Sequence, residues 1–172
     1  MSLGLTCIPM TSLPYLAGYS ESLRTQALEL LEAGELADRL RARYPDRHDV
    51  RSNKALQVYV QELKARHMKT SAPLGQVQFD DRLHVIHGAL GLHTTSTRVQ
   101  GAKLRKRRSI QVASLFKDTP PEFLRMIVVH ELAHMKHGEH DRAFYRLCEH
   151  MEPEYHQLEL DLRLFLTASE WA

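Results

Sequence analysis

The sequence feature that most constrains the fold is the string His130-Glu131-Leu132-Ala133-His134. Two histidines four residues apart lie on one face of an α-helix, one turn apart, where both imidazoles can bind the same ion. Glu131 then lies beside the two ligands and can accept a proton from a water molecule at the site. The string therefore predicts a metal-binding helix. We expect Zn²⁺, because imidazole suits zinc as a ligand and zinc lowers the pKa of water towards neutrality.

A catalytic zinc site needs a third protein ligand and one open position. His137 lies seven residues after His130, about 10 Å further along the same helix axis, and three ligands on one straight helix cannot easily surround an ion. His140 follows Gly138, and glycine can adopt the left-handed conformation that ends a helix and turns the chain back. We therefore favour His140 over His137 as the third ligand. Weaker alternatives are Glu149 and Glu154.

The apolar periodicity predicts an α+β fold, with a small three-stranded sheet between N-terminal and C-terminal helices. Predicted helices cover 20–43 with a possible break at Gly34, a segment after Ser52, a segment from Pro120 to near Gly138, 141–151 and 154–166. Predicted strands cover 76–86, 90–99 and 109–114. We expect an N-terminal extension at 1–19 and a single domain at 20–172, divided into a helical part at 20–70 and a catalytic core at 76–166.

The composition is typical of a soluble globular protein, with 43% hydrophobic and 26% charged residues. It excludes collagen-like, low-complexity and wholly disordered chains. No apolar stretch approaches the 18 or so residues that a membrane span requires, so no membrane partner is expected. The first twenty residues lack a basic start and are interrupted by prolines, and the two cysteines match no metal or redox spacing. We expect a cytoplasmic protein.

One segment is strongly basic. Between Arg82 and Lys117 the chain carries eight basic residues and no acidic ones, and they are densest at 103–108. Such a run is either a solvated hairpin tip or a contact surface for nucleic acid or another polyanion. Aromatic residues of the kind that stack on bases are not interleaved with it. We expect at most a weak polyanion contact through 98–108.

The metal-binding string extends into a longer pattern. The segment 128–145 resembles the signature of the YgjP-like zinc metallopeptidases, which are zincins with an HExxH motif. In that signature a helix ends in HELxH and is followed, about six residues on, by a histidine and then an aromatic pair, here Phe144-Tyr145. The segment Pro153-Glu154-Tyr155 is similar to the proline-acidic-tyrosine segment of the family. The resemblance covers roughly residues 109–166.

The resemblance implies a zincin-like fold, in which an active-site helix carries the HExxH motif. It also implies that His130, His134 and His140 bind zinc and that Glu131 is the catalytic acid–base. On this basis we expect a zinc-dependent hydrolase, in the first instance a metallopeptidase that acts on a peptide or protein substrate with Glu131 as general base. The alternatives are hydrolysis of a small non-peptide substrate such as a nucleotide, or a nucleic-acid-associated module with structural zinc.

Two further expectations concern the substrate. Zincins bind an extended substrate along an edge strand, and 110–113 is the candidate for that edge. Hydrolysis also needs a group that stabilises the oxyanion. Of the four candidates downstream of the ligands, Tyr155 is weakly favoured; the others are Tyr145, His150 and His156.

Overall fold

The computed structural model describes residues 13–83, 91–100 and 103–171, with the backbone alone at 91–100 and 103–107. Within these ranges the chain forms six α-helices and three strands, so the predicted α+β class is confirmed. The helices are α1 (Glu21–Glu32), α2 (Leu36–Arg43), α3 (Asn53–His67), α4 (Pro121–Ala133), α5 (Arg142–Met151) and α6 (Tyr155–Trp171). The strands are β1 (Leu74–Asp80), β2 (Gly91–Gln100) and β3 (Lys103–Ala113).

The chain divides into two compact units. The first comprises the described residues of 1–44 and 160–172, which form α1, α2 and most of α6. The break expected at Gly34 is present, because this residue has a φ of 71° between α1 and α2. Within this unit the buried Tyr44 hydroxyl donates a hydrogen bond to Asp161. The domain boundaries expected from the sequence stay a prediction.

The second unit is Pro45–Glu159 and contains the strands. β1 runs parallel to β3, with Val77 opposite Ile110, and β2 runs antiparallel to β3, with His93 opposite the same residue. The expectation that 110–113 forms a free edge for substrate is therefore wrong, because β3 has a paired strand on each side. β3 also begins at Lys103, so the basic run belongs to a strand.

Helix α3 covers the other edge of β1 with two side-chain amides. Asn53 Oδ1 accepts a hydrogen bond of 2.9 Å from the Phe79 N–H, and Gln57 Oε1 accepts one of 2.9 Å from the Val77 N–H. Gln57 Nε2 also donates to the Gly75 carbonyl at 3.2 Å. An unpaired strand edge is prone to pairing with another chain. The helix satisfies this edge in place of a fourth strand.

Helix α4 is the buried helix of the second unit. It begins with Pro121 in its first turn, where the missing N–H is not needed, and its apolar residues are almost fully buried. It ends at Ala133, earlier than the sequence predicted. The sequence predicted that Gly138 adopts the left-handed conformation and so ends the helix. That prediction is wrong, because among the described glycines the positive φ belongs to Gly34 and not to Gly138.

Among the residues that the structure describes, no helix is both long enough and apolar enough to cross a bilayer.

Candidate metal centre

Three imidazoles converge at the C-terminal end of α4. The Nε2 atom of His130 lies 3.2 Å from Nε2 of His134 and 3.2 Å from Nε2 of His140, and the last two atoms are 3.0 Å apart. These three histidines, called the triad below, form the cluster of histidine, cysteine or acidic side chains that could hold one metal ion in the described part of the chain. The structure therefore brings together the three residues that the sequence selected as ligands.

The donor set fits a metal such as zinc. For Zn–N bonds of about 2.0–2.1 Å, a tetrahedral arrangement places neighbouring nitrogens about 3.3 Å apart. The observed separations of 3.0–3.2 Å are within about 0.3 Å of that value. His130, His134 and His140 would hold the ion. Three protein ligands leave one position open, which is typical of catalytic rather than structural zinc sites.

His134 is held in the tautomer that a metal ligand needs. Its Nδ1 lies 3.0 Å from the backbone carbonyl of His137, and a carbonyl oxygen can only accept a hydrogen bond. Nδ1 therefore carries the proton, and Nε2 of the neutral ring presents its lone pair to the triad. Burial also lowers the pKa of His134, which favours the neutral ring at neutral pH.

His137 and His140, the two candidates for the third metal ligand, make different contacts. His140 places its imidazole in the triad, whereas His137 contributes its main-chain carbonyl to His134. The turn after α4 produces this arrangement through backbone bonds from Met135 to Leu132 and from Lys136 to Ala133. The alternative ligand Glu149 lies 3.1 Å from His156 Nε2. Neither Glu149 nor Glu154 belongs to the cluster.

A phenylalanine supports all three rings from the next helix. Phe144 is fully buried, and its ring centroid lies 5.0, 4.6 and 4.8 Å from those of His130, His134 and His140. Asp141 begins α5 just before it, where Oδ1 accepts a hydrogen bond of 2.9 Å from the Phe144 N–H. The capped start of α5 thus fixes the ring against which the triad packs.

Glu131 is a buried carboxyl group on the same turn of α4. Only 1% of the residue is exposed, and its Oε2 atom has no hydrogen-bond partner. Burial raises the pKa of Glu131 to about 8. A buried, unpartnered carboxyl oxygen is unfavourable for folding. A residue that persists at this cost is a candidate for a chemical role, as the sequence predicted.

Tyr155, the weakly favoured oxyanion candidate, contacts one of the three converging histidines. It is fully buried, and its hydroxyl oxygen lies 2.7 Å from Nδ1 of His130. The hydroxyl group therefore contacts the ring of His130 on the side away from the triad, and its oxyanion role stays a prediction. Sequence reasoning missed this contact, because 25 residues separate the partners and no local pattern joins them.

Arg108 connects the basic strand to the site. Its Nη1 donates a long hydrogen bond of 3.4 Å to the backbone carbonyl of His134, so a guanidinium group lies against a triad residue. The remaining side chains of 98–108 lie outside the described part of the chain. The polyanion contact expected through 98–108 stays a prediction.

Comparison with known proteins gives two matches. A family model described as "YgjP-like, metallopeptidase domain" matches residues 51–164. A protein from Escherichia coli (strain K12) named UTP pyrophosphatase is 51% identical over 158 residues, which is 92% of this chain and 95% of that protein. No solved structure matches the chain significantly.

Proposed function

The chain belongs to the YgjP-like family, and we propose that it is a metal-dependent hydrolase that cleaves a phosphoanhydride bond of a nucleoside triphosphate, with UTP as the first candidate. The observation that carries the hydrolase assignment is the convergence of three Nε2 atoms at 3.0–3.2 Å at the end of the helix that also carries the buried Glu131. The name of the relative with 51% identity supports the substrate. It corresponds to the non-peptide alternative that the sequence left open.

In the proposed reaction the three histidines would bind the metal ion and Glu131 transfers the proton. A divalent ion held by His130, His134 and His140 would supply Lewis-acid catalysis and lower the pKa of water, and its positive charge would favour the ionised form of Glu131. Glu131 accepts a proton from the attacking water, whose oxygen forms a bond to the α-phosphorus. The bond from that phosphorus to the bridging oxygen breaks, and pyrophosphate leaves with the electron pair. The products are UMP and pyrophosphate, and Glu131 returns the proton to the leaving group or to solvent.

The position and the positive charge of Arg108 favour a phosphate substrate over a peptide. Phosphoryl transfer relies on positive groups that bind the phosphate oxygens and stabilise the charge of the leaving group. A guanidinium group binds phosphate through two parallel hydrogen bonds. Arg108 lies against the carbonyl of His134 and is the described end of a segment that carries six basic residues at 98–108. Positive charge in the sequence next to Arg108 favours a polyanionic substrate.

Peptide hydrolysis is the second candidate. The description of the matching family as a metallopeptidase favours it, and so does the HExxH helix itself. A water molecule and Glu131 would then act on a peptide carbonyl, and the same three histidines would hold the ion.

The experiment that separates the two uses one zinc-loaded preparation for both substrates. UTP hydrolysis is followed by ³¹P NMR in water enriched in ¹⁸O, and peptide cleavage is followed by mass spectrometry of a mixed peptide library. We expect UMP and pyrophosphate, with the label in UMP, and loss of turnover on chelation. Label in pyrophosphate would place the attack on the β-phosphorus. Chelator-sensitive peptide cleavage without UTP turnover would overturn the proposal in favour of the peptidase.

A further inference from the structure

Three helices meet at the hydroxyl group of Tyr155. Tyr155 begins α6, its oxygen lies 2.7 Å from Nδ1 of His130 on α4, and it also makes a side-chain hydrogen bond with Cys148 on α5. Tyr155 and Cys148 are both fully buried. The hydroxyl of Tyr155 and the thiol of Cys148 are therefore shielded from bulk water and need hydrogen-bond partners inside the protein.

The direction of the hydrogen bonds follows from the groups themselves. A phenol carries one proton and keeps it at neutral pH, since its ordinary pKa is about 10. Burial raises the pKa of Cys148 to about 12, so the thiol remains neutral as well. When the phenol donates its proton to the sulfur of Cys148, its oxygen is free to accept from the ring of His130. Nδ1 of His130 is then the protonated nitrogen, and Nε2 keeps its lone pair.

We propose that Tyr155 is a positioning residue of the metal centre, whose hydroxyl accepts the Nδ1–H of His130 and so directs the Nε2 lone pair of that ring to the metal. The role matches that of the His137 carbonyl at His134, and together the two acceptors fix two of the three ligands. Acceptors of this kind raise the basicity of a ligand, and their loss typically weakens metal binding by about 10- to 100-fold. The inference rests on the metal-binding part of the proposed function and is independent of the substrate.

The first test is the affinity for Zn²⁺ alone, measured by competition with a chelating dye. Tyr155→Phe keeps the buried ring and removes only the oxygen, so we expect a dissociation constant about 10- to 100-fold higher than that of the unchanged protein. The matched control is Tyr44→Phe, which removes another buried hydroxyl that bonds to Asp161 instead of to a ligand. It should lower the stability towards urea and leave the zinc affinity unchanged. A Tyr155→Phe affinity within twofold of that of the unchanged protein would overturn the inference.

The second test needs no variant and covers the case in which Tyr155→Phe does not fold. The ¹⁵N chemical shifts of histidine rings distinguish the two tautomers. In the metal-free protein at pH 8 we expect the proton of His130 on Nδ1. A proton on Nε2 would contradict the inference directly.

The outcomes also separate this inference from the proposed function. Unchanged zinc affinity in Tyr155→Phe, together with UTP turnover by the unchanged protein, would remove the role of Tyr155 and leave the proposed activity. Weakened zinc affinity in Tyr155→Phe, together with no UTP turnover by the zinc-loaded unchanged protein, would support the role of Tyr155 and remove the proposed activity.

Discussion

Glu131 combines two properties that a structural residue seldom has. It is buried to 1% exposure, and one of its carboxyl oxygens has no partner, although it lies on a helix whose other buried residues are mostly apolar. Charged side chains are almost never buried unless they are paired. The residue therefore reduces the stability of the protein, and a role in proton transfer, as we propose above, would account for its presence there.

The first prediction follows from this role. Glu131→Gln keeps the shape of the side chain but removes the proton acceptor, so the variant should fold and retain its zinc. Its rate of UTP hydrolysis should fall by about 10²- to 10⁴-fold, the usual effect of losing general-base catalysis. Turnover of the zinc-loaded variant, measured with zinc content, checks this.

The same helix offers a matched control for this substitution. Glu122 lies in the first turn of α4 and also has a buried Oε2 without a partner. It precedes Glu131 by nine residues, or about 13 Å along the helix axis. Glu122→Gln should retain turnover. Equal losses in the two variants would show that the effect is on α4 as a whole and not on catalysis.

The second prediction separates the two histidines that follow α4. His140→Ala removes an imidazole from the triad, and two remaining ligands bind zinc weakly, so the purified variant should contain little zinc. His137→Ala keeps the main-chain carbonyl that bonds to His134, so its zinc content should stay near one per chain. Metal analysis after gel filtration gives the comparison. The reverse order would contradict the ligand assignment.

The third prediction concerns Arg108. If its guanidinium group binds the phosphates, Arg108→Gln should raise the KM for UTP at least tenfold, and Arg108→Lys should give an intermediate value because it keeps the charge but not the paired donors. Arg51→Gln, which removes an exposed arginine paired with Asp118, is the control. An unchanged KM in Arg108→Gln would show that Arg108 does not bind the phosphates and that its contact with the His134 carbonyl is structural.

At the scale of the elements, the contact between α3 and β1 yields the fourth prediction. Gln57→Leu leaves the N–H of the buried Val77 and the carbonyl of Gly75 without their partner. An unsatisfied buried group costs about 1 to 3 kcal/mol, so the free energy of unfolding should fall by at least that amount. Gln61→Leu, an exposed position one turn later on α3, should change it little. Urea unfolding of the two variants provides the comparison.

Several elements could be predicted because their signals are local. Ser52 begins α3 by accepting a hydrogen bond of 3.1 Å from the Ala55 N–H, and Gly34 separates α1 from α2, both as expected from the sequence. The two histidines of the HExxH string likewise needed only helical spacing. Each of these features involves residues within four positions of one another, where sequence pattern is informative.

Other features depend on contacts between distant residues and could not be predicted in this way. The hydrogen bonds of Gln57 to β1 and of Tyr155 to His130 join residues 20 and 25 positions apart. β3 begins at Lys103 because its backbone pairs with β2, although its basic residues suggested a loop. In each case tertiary pairing overrides the local composition.

At the scale of the whole molecule, the triad and the residues that support it all lie within the unit Pro45–Glu159. The family match at 51–164 covers most of the same stretch. The three histidines of the triad come from α4 and from the turn that follows it, and α5 and α6 supply Phe144 and Tyr155, which contact their rings. An ion bound by the triad would therefore link several elements of this unit.

The fifth prediction follows from linkage. A ligand that binds only the folded state stabilises it by about 2.7 kcal/mol when its free concentration is 100 times the dissociation constant. Zinc at that excess should raise the free energy of urea unfolding of the metal-free protein by about this amount, and His140→Ala should show no such gain. Equal stabilisation of both proteins would indicate that zinc binds elsewhere.

The pairing of α3 with β1 also bears on how this part of the chain can vary in length. Four residues of a helix advance about 6 Å, and two residues of a strand advance about 6.6 Å, so the repeats of the two elements are nearly commensurate. Asn53 and Gln57 therefore meet alternate residues of β1. One residue inserted between them would turn the second amide by about 100° around the helix and away from the strand. Insertions and deletions should therefore be tolerated in the connection at 69–73 and not within either element.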